Sequence, residues 1–331
     1  MQFSLIIPVF NRPDEIDELI VSLSKQSYIS KYEIVIIEDG STITCEHILQ
    51  KYVNLNISYY FKPNSGPGDS RNFGMNVAKG DYFIILDSDC IIPFNYLQTV
   101  DEELKKDFVD CFGGPDAALD SFSKIQKAIN FTMTSFLTTG GIRGGSEKLD
   151  KFQPRSFNMG LSKTAFEASN GFGNIHPGED PDLSIRLWKL GYKTKLISKA
   201  FVYHKRRIDW NKFYTQVNKF GLARPILNSW YPEYAKITFW FPTMFLLGFL
   251  FSSLIAIFNF PYFLYLYVFY FLMLFLASIQ KNKSIEIAIY SLVATVIQFY
   301  GYGKGFLLSF IKIQILKQQP EMAFPKLFFK K

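Results

Sequence analysis

The 331-residue chain predicts an α/β domain built on a mainly parallel, Rossmann-like sheet, followed by C-terminal helices able to enter a membrane. Three observations predict this. Short runs rich in Ile and aromatic residues alternate with amphipathic segments of helical length through residue 110 or so, the pattern of βαβ units. Two of those runs end in carboxylates, Glu38-Asp39 and Asp87-Ser88-Asp89, and open α/β sheets bind ligands at the C-terminal ends of their strands. Beyond residue 236 lie uncharged runs of about 20 residues, enough to cross a bilayer core.

Taken in order, Phe3–Val9 is a short apolar run and reads as a buried first strand. Asn11 and Asp14 are helix-cap types beside Pro13, and Ile16, Leu19, Ile20 and Leu23 follow with helical spacing. Residues 33–37 form a second strand, 43–53 a helix and 56–61 a third strand. Gly66-Pro67-Gly68 marks a turn, and residues 69–78 fit a helix closed by Lys79-Gly80. Residues 82–86 are the fourth strand and deliver Asp87 and Asp89. After residue 110 the alternation weakens. Residues 122–138 suit a helix, 140–151 a glycine- and charge-rich loop that could serve as a lid, and 155–162 a short strand. Gly178-Glu179-Asp180-Pro181-Asp182 precedes a helix at 183–190, and strand-like residues 194–203 lead to His204.

Residues 237–258 and 260–279 are two uncharged runs separated by Asn259 and Pro261, a hairpin with Tyr262, Tyr265 and Tyr267 as an interfacial belt. Residues 285–302 form a third apolar stretch, closed by Gly301, Gly303, Lys304 and Gly305, and 306–316 a fourth with Lys312 inside it. A full third span would put Lys312, Lys317, Lys326, Lys330 and Lys331 outside, against the positive-inside tendency. Two spans are therefore expected, with the third stretch left open.

Charge is distributed unevenly. The net +7 lies entirely in residues 236–331, which hold nine Lys and two Glu, while residues 1–235 balance. Basic residues among apolar runs point to anionic lipid rather than nucleic acid. Three cysteines without metal-ligand spacing fit a reduced compartment, and the N-terminus lacks the pattern of a signal peptide. No Gly-rich dinucleotide turn follows the first strand and no Walker sequence is present.

Carboxylates where a buried strand runs out are costly unless a cation or hydrogen-bond donors meet them. Asp87 and Asp89 thus read as a hard-metal site for Mn²⁺ or Mg²⁺ bridging to phosphates, or as a solvated acidic turn. Glu179, Asp180 and Asp182 crowd one helix start. Capping and the helix dipole explain some of that charge, while a crowded carboxylate can also gain a raised pKa and act as a general base. His204 is either a structural hydrogen-bonding residue or faces metal and phosphate.

Six ordered segments carry a resemblance: SLIIPVFNRPDEI, EIVIIEDGS, GPGDSRNFGMNVAKGDYFIILDSDC, FNMGLSKTAFEASNGF, GEDPDLSIRLWKLGYK and AFVYH. With them the first 225 or so residues resemble the inverting, GT-A fold glycosyltransferases of family 2, and the tail resembles those of bacterial members at the inner face of the cytoplasmic membrane. The resemblance implies a catalytic domain at 1–225, with a nucleotide-sugar half of about 1–110 and an acceptor half of about 111–225. It implies a membrane domain at 226–331. Asp39 would bond the nucleotide base, with Pro8, Phe10 and Asn11 lining that pocket. Arg71 would face the nucleotide, Asp87 the ribose or metal, and Asp89 the metal, with His204 as a further metal or phosphate contact. Asp180, in the Glu179-Asp180 pair, would be the base. Mn²⁺ or Mg²⁺, a nucleoside-diphosphate sugar (UDP by family weight) and a glycan or lipid-linked acceptor follow as cofactor and partners. A departure is Gln216-Val217-Asn218-Lys219-Phe220 where processive members carry Gln-x-x-Arg-Trp, which favours one or a few sugar additions; Lys lacks the bidentate fork of Arg. Two other readings compete: sugar loading onto polyprenyl phosphate, and a non-catalytic nucleotide-sugar-binding subunit of a polysaccharide export complex.

Overall fold

A computed structural model of the chain describes residues 1–140, 151–205 and 209–329. Residues 141–150 of the expected lid lie outside the described residues, as do Arg206, Arg207, Lys330 and Lys331. In chain order the elements begin β1 (Phe3–Val9), α1 (Pro13–Ser24), β2 (Tyr32–Asp39), α2 (Glu46–Leu49), β3 (Ile57–Lys62), α3 (Pro67–Val77), β4 (Tyr82–Leu86), β5 (Cys90–Ile91) and α4 (Tyr96–Lys106). They continue with β6 (Cys111–Gly113), β7 (Asp116–Ala117), α5 (Lys124–Thr134), α6 (Phe136–Thr139), β8 (Asn158–Ser162), α7 (Lys163–Ser169), α8 (Glu179–Lys189), β9 (Thr194–Leu196) and β10 (Val202–His204). The long helices α9 (Trp210–Trp230), α10 (Phe241–Ala256), α11 (Tyr262–Asn282) and α12 (Ile285–Phe310) follow. The described residues form two compact units: 1–117 with 151–205 and 328–329, and 118–140 with 209–327.

The first unit holds a seven-stranded sheet in the order β3-β2-β1-β4-β8-β6-β9. β1 to β4 are parallel, β8 runs against both its neighbours, and β9 is parallel to β6. The reversal at β8 is why the strand–helix alternation fades after residue 110. Leu5, Ile7, Ile34, Ile36 and Ile84 pack with α1 and α4 on one face; Ile6, Val35, Ile37, Phe83 and Ile85 pack with α3, α7 and α8 on the other. Side chains alternate across a strand, and a parallel sheet covered on both faces reads as unbroken apolar runs. Helix α1 opens with Pro13, Asp14 and Glu15 and buries Ile16, Leu19, Ile20 and Leu23. The stretch 43–53 yields only a short α2 and a 3₁₀ turn at Gln50–Tyr52. The strand-like residues 194–203 give β9 and the start of β10, and β10 leaves the main sheet. It joins a three-stranded sheet, β5-β10-β7, in which His204 pairs with Cys90.

In the second unit, three helices are long and apolar enough to cross a membrane: Ile237–Ala256, Tyr262–Asn282 and Ile285–Ile315. The glycines at 301–305 do not end the third stretch. They lie inside α12, where a Cβ on Gly301 would meet Val217 and one on Gly305 would meet the Asn218 carbonyl; Gly221 of α9 is equally tight against Tyr302. Small residues here bring two helix backbones together. Asn218 Nδ2 donates to the Gly301 carbonyl at 2.9 Å, so part of the Gln216–Phe220 stretch is occupied in this packing. Thr132 Oγ1 of α5 donates to the Ser291 carbonyl at 3.2 Å, and Ser278 meets Ser291 at 2.9 Å. The helix expected over 122–138 breaks at Ser135 into α5 and α6.

Candidate active site

The carboxylates at the ends of β2 and β4 all carry partners from their own unit. Asp39, nearly buried, accepts hydrogen bonds from Lys62 Nζ at 2.7 Å, the Ser65 and Gly66 amides at 3.0 Å and Asn64 Nδ2 at 3.2 Å. Its carboxylate thereby closes the 62–66 loop over the strand end. Gly66 sits at φ +95°, in the left-handed region that glycine enters at low cost. Asp87 accepts from Arg71 Nη2 at 2.7 Å, and Asp89 Oδ2 from Arg12 Nη1 at 2.7 Å.

The loop after β1 completes this side. Pro8 lies within β1, and Phe10 is half exposed. Asn11 takes φ 52°, a left-handed geometry that Asn tolerates. Its Oδ1 accepts from the Thr42 and Ile43 amides at 2.8 and 3.0 Å, and its own amide donates to Ser41 Oγ at 2.7 Å. The loops after β1 and β2 are thus tied together.

The pairing of β10 with β5 brings His204 to the end of β4. His204 Nε2 lies 3.2 Å from Asp89 Oδ1, and the ring stacks on Phe157 at 4.7 Å between centroids. Among the described residues, its Nδ1 is buried without a hydrogen-bond partner. Asp89, Cys90 and His204 each bring one ligand atom within 4.8 Å of the others. A carboxylate oxygen and an imidazole nitrogen suit Mn²⁺ and similar divalent ions, so these residues fit a metal site, with Asp87 two residues away. Cys90 Sγ donates to the Phe157 carbonyl at 3.4 Å within the core, so the thiol already has a structural place.

Arg71 joins this side to the start of α8. It is almost completely buried and spans Asp87 and Glu179, with Nη1 3.3 Å from Glu179 Oε1. Glu179 also meets His176 Nδ1 at 2.8 Å and accepts the Gly178 amide at 2.9 Å. Burial pushes the Glu179 pKa up, but His176 and Arg71 outweigh it and hold the carboxyl below its usual range. Burial alone would lower the His176 pKa; the facing Glu179 carboxylate reverses that and raises it. Asp180, the next residue, behaves oppositely. Among the described residues, its Oδ1 is buried without a hydrogen-bond partner, and burial together with the Glu179 charge pushes its pKa up to about 6. Two adjacent carboxylates therefore differ in proton affinity.

The sequence-derived residues fall into two contact sets, Arg71 with Asp87 and Glu179, and Asp89 with His204, which meet in the chain at Asp87-Ser88-Asp89; Asp180 adjoins Glu179. Asp39 joins through the 62–66 loop that leads into α3 and Arg71. Sequence reasoning missed Arg12, Lys62 and His176. Arg12 follows Asn11 directly and His176 stands three residues before Glu179, but what each contacts depends on residues distant in sequence or on an unusual loop.

Residues 4–169, half of the chain, match the sequence pattern of glycosyl transferase family 2. The stretch includes Asp39, Arg71, Asp87 and Asp89 and ends before Asp180 and His204. Over 93 residues the chain is 37% identical to poly(ribitol-phosphate) beta-N-acetylglucosaminyltransferase TarS of Staphylococcus aureus, covering 27% of this chain and 16% of that protein. Over 237 residues it is 25% identical to chondroitin synthase of Escherichia coli, covering 61% of this chain and 34% of that one. The chain thus spans only a minor part of these curated relatives. In fold it is similar to mannosyltransferase PcManGT from Pyrobaculum calidifontis, solved with GDP-Man and Mn²⁺, at TM-score 0.55 and 12% identity over 98% of this chain and 78% of that one. The similarity gives the chain a GT-A-like fold.

Proposed function

The chain belongs to glycosyl transferase family 2, and on that premise we propose that it transfers a sugar from a nucleoside-diphosphate sugar to an acceptor hydroxyl, inverting the anomeric carbon. The observation that carries this reading is the split pair at the start of α8: Glu179 is held ionised by His176 and Arg71, while the Asp180 pKa is raised to about 6. A carboxylate so tuned is ionised at neutral pH yet basic enough to take a proton from a hydroxyl.

In this reading Asp180 receives the hydroxyl proton of the acceptor as its oxygen attacks the anomeric carbon. The bond from that carbon to the diphosphate breaks on the opposite face. Glu179 anchors rather than accepts, since its carboxylate already faces three donors. Asp89 and His204, with Asp87, would hold a divalent ion such as Mn²⁺ or Mg²⁺. When bound, such an ion neutralises charge on the departing diphosphate. Arg71 and Arg12 bring fixed positive charge beside the same carboxylates. Asp39, Pro8, Phe10 and Asn11 form the base end of the donor pocket, where Asp39 must give up one loop contact to bond a base.

A general base favours a hydroxyl acceptor, on a glycan or a lipid-linked glycan, over a lipid phosphate that is already ionised. The named relatives that act on poly(ribitol phosphate) and chondroitin support cell-surface polysaccharide as the setting, and UDP is the donor nucleotide proposed first. The apolar helices support action at a membrane, proposed as the cytoplasmic face of the bacterial inner membrane. The catalytic part is placed within residues 1–225, of which 118–140 and 209–225 pack in the second unit. The experiment is calorimetric titration of the detergent-solubilised chain with UDP, GDP, CDP and dTDP, with Mn²⁺ and with chelator. Metal-dependent micromolar binding of one nucleotide, roughly −8 kcal/mol, is the expected result. Folded protein that binds none overturns the reading and favours a retired donor site.

A further inference from the structure

Residues 328 and 329 lie against the candidate site. Phe328 forms an antiparallel bridge with Ile175, and the Phe329 amide donates to the Asn174 carbonyl at 3.1 Å. Ile175 is almost fully buried, so this loop is anchored in the first unit rather than lying loose on it. The Phe329 ring reaches two other places. Its centroid lies 6.0 Å from that of His176, at 52°, and it packs on Gly66 so closely that a Cβ there would come within 2.4 Å of ring carbons. Gly66 donates its amide to Asp39, and His176 holds Glu179 beside Asp180. One aromatic ring therefore touches both the loop that Asp39 closes and the loop that leads into the base.

We propose that Phe328 and Phe329 form a strap in which Phe329 is a positioning residue, fixing the 174–178 loop, and so the Glu179-Asp180 pair, against the 62–66 loop. Neither phenylalanine carries chemistry. The backbone bridge sets the register of the tail, and the ring fills the space that the missing Gly66 side chain leaves. A loop held at a backbone bridge and a ring contact keeps a base within the narrow tolerance that proton abstraction needs. The catalytic consequence rests on the function proposed above; the mechanical link does not.

The test uses the full chain carrying Phe329→Ala, and a second form ending at Leu327. Hydrogen exchange at residues 174–178 and 63–66 is expected to speed up by about fivefold or more, as for a local opening, with β1 to β4 unchanged. Nucleotide affinity stays within about twofold while kcat falls by about tenfold, a part of the 10²–10⁴ that a general base supplies. The acid limb of the kcat–pH profile shifts with it, and Phe329→Tyr restores both. Should the shorter form lose protection across β1 to β4, Phe329→Ala alone carries the test. Unchanged exchange at 174–178 in Phe329→Ala overturns the strap. If the parent chain binds no nucleotide, the functional reading fails, and exchange still decides the strap.

Discussion

Two groups of carboxylates share the first unit and are treated oppositely. At the ends of β2 and β4, Asp39, Asp87 and Asp89 each face a cationic side chain at 2.7 Å: Lys62, Arg71 and Arg12. At the start of α8, Asp180 is buried beside an ionised Glu179, with one oxygen lacking a hydrogen-bond partner among the described residues. Burial and the Glu179 charge raise the proton affinity of Asp180 against the opposing pull of Arg71 and Arg155. In the function proposed above, the difference teaches that binding and proton transfer fall to separate places by the company each acid keeps.

The largest expected effect breaks the second group. Asp180→Asn lowers transfer by about 10²–10⁴-fold and leaves nucleotide affinity unchanged, measured by turnover and calorimetry on one preparation. The same variant is more resistant to heat at pH 8 and equal to the parent near pH 4. Because the folded pKa is raised, the stabilising balance is intact below the unfolded value and is lost as pH rises through about 6. Thermal inactivation at the two pH values checks this.

Asp89→Asn breaks the first group. Metal-dependent nucleotide affinity falls by about a hundredfold or more, since truncating one partner of a charged contact costs several kcal/mol. Equal affinity with saturating Mn²⁺ would sink the metal assignment. Arg12→Gln sharpens the comparison. It removes the cation that faces Asp89, so Mn²⁺ without nucleotide binds about tenfold tighter, near 1.4 kcal/mol. The smallest effect is Glu179→Gln. Loss of the neighbouring negative charge lowers the Asp180 pKa, so the acid limb of the kcat–pH profile moves toward lower pH by about one unit.

Much of this arrangement is legible in the sequence. β2 and β4 are buried on both faces, so their apolar runs are unbroken, and the acids that end them stand out. The crowding at Glu179, Asp180 and Asp182 is local and visible too. What stays hidden depends on long-range pairing. His204 acquires a place only because two-residue β5 pairs with three-residue β10, strands too short for a periodic signal. Arg12 reads as a helix-start residue, and its partner Asp89 is 77 residues away. Glycines at 301–305 look like a helix stop because glycine often is one; here Gly301 and Gly305 permit close approach of α9, and Gly303 that of α10. Nothing local marks Phe329, whose role lies in what it touches.

The most direct test of the central claim is an infrared pH titration of the carboxyl groups, comparing the parent chain with Asp180→Asn. The account predicts a protonated carboxyl band that titrates near pH 6 in the parent and is absent from the variant. Carboxyl bands that titrate together near pH 4 in both proteins would contradict it, because Asp180 would then be an ordinary acid and the division between the two groups would not exist.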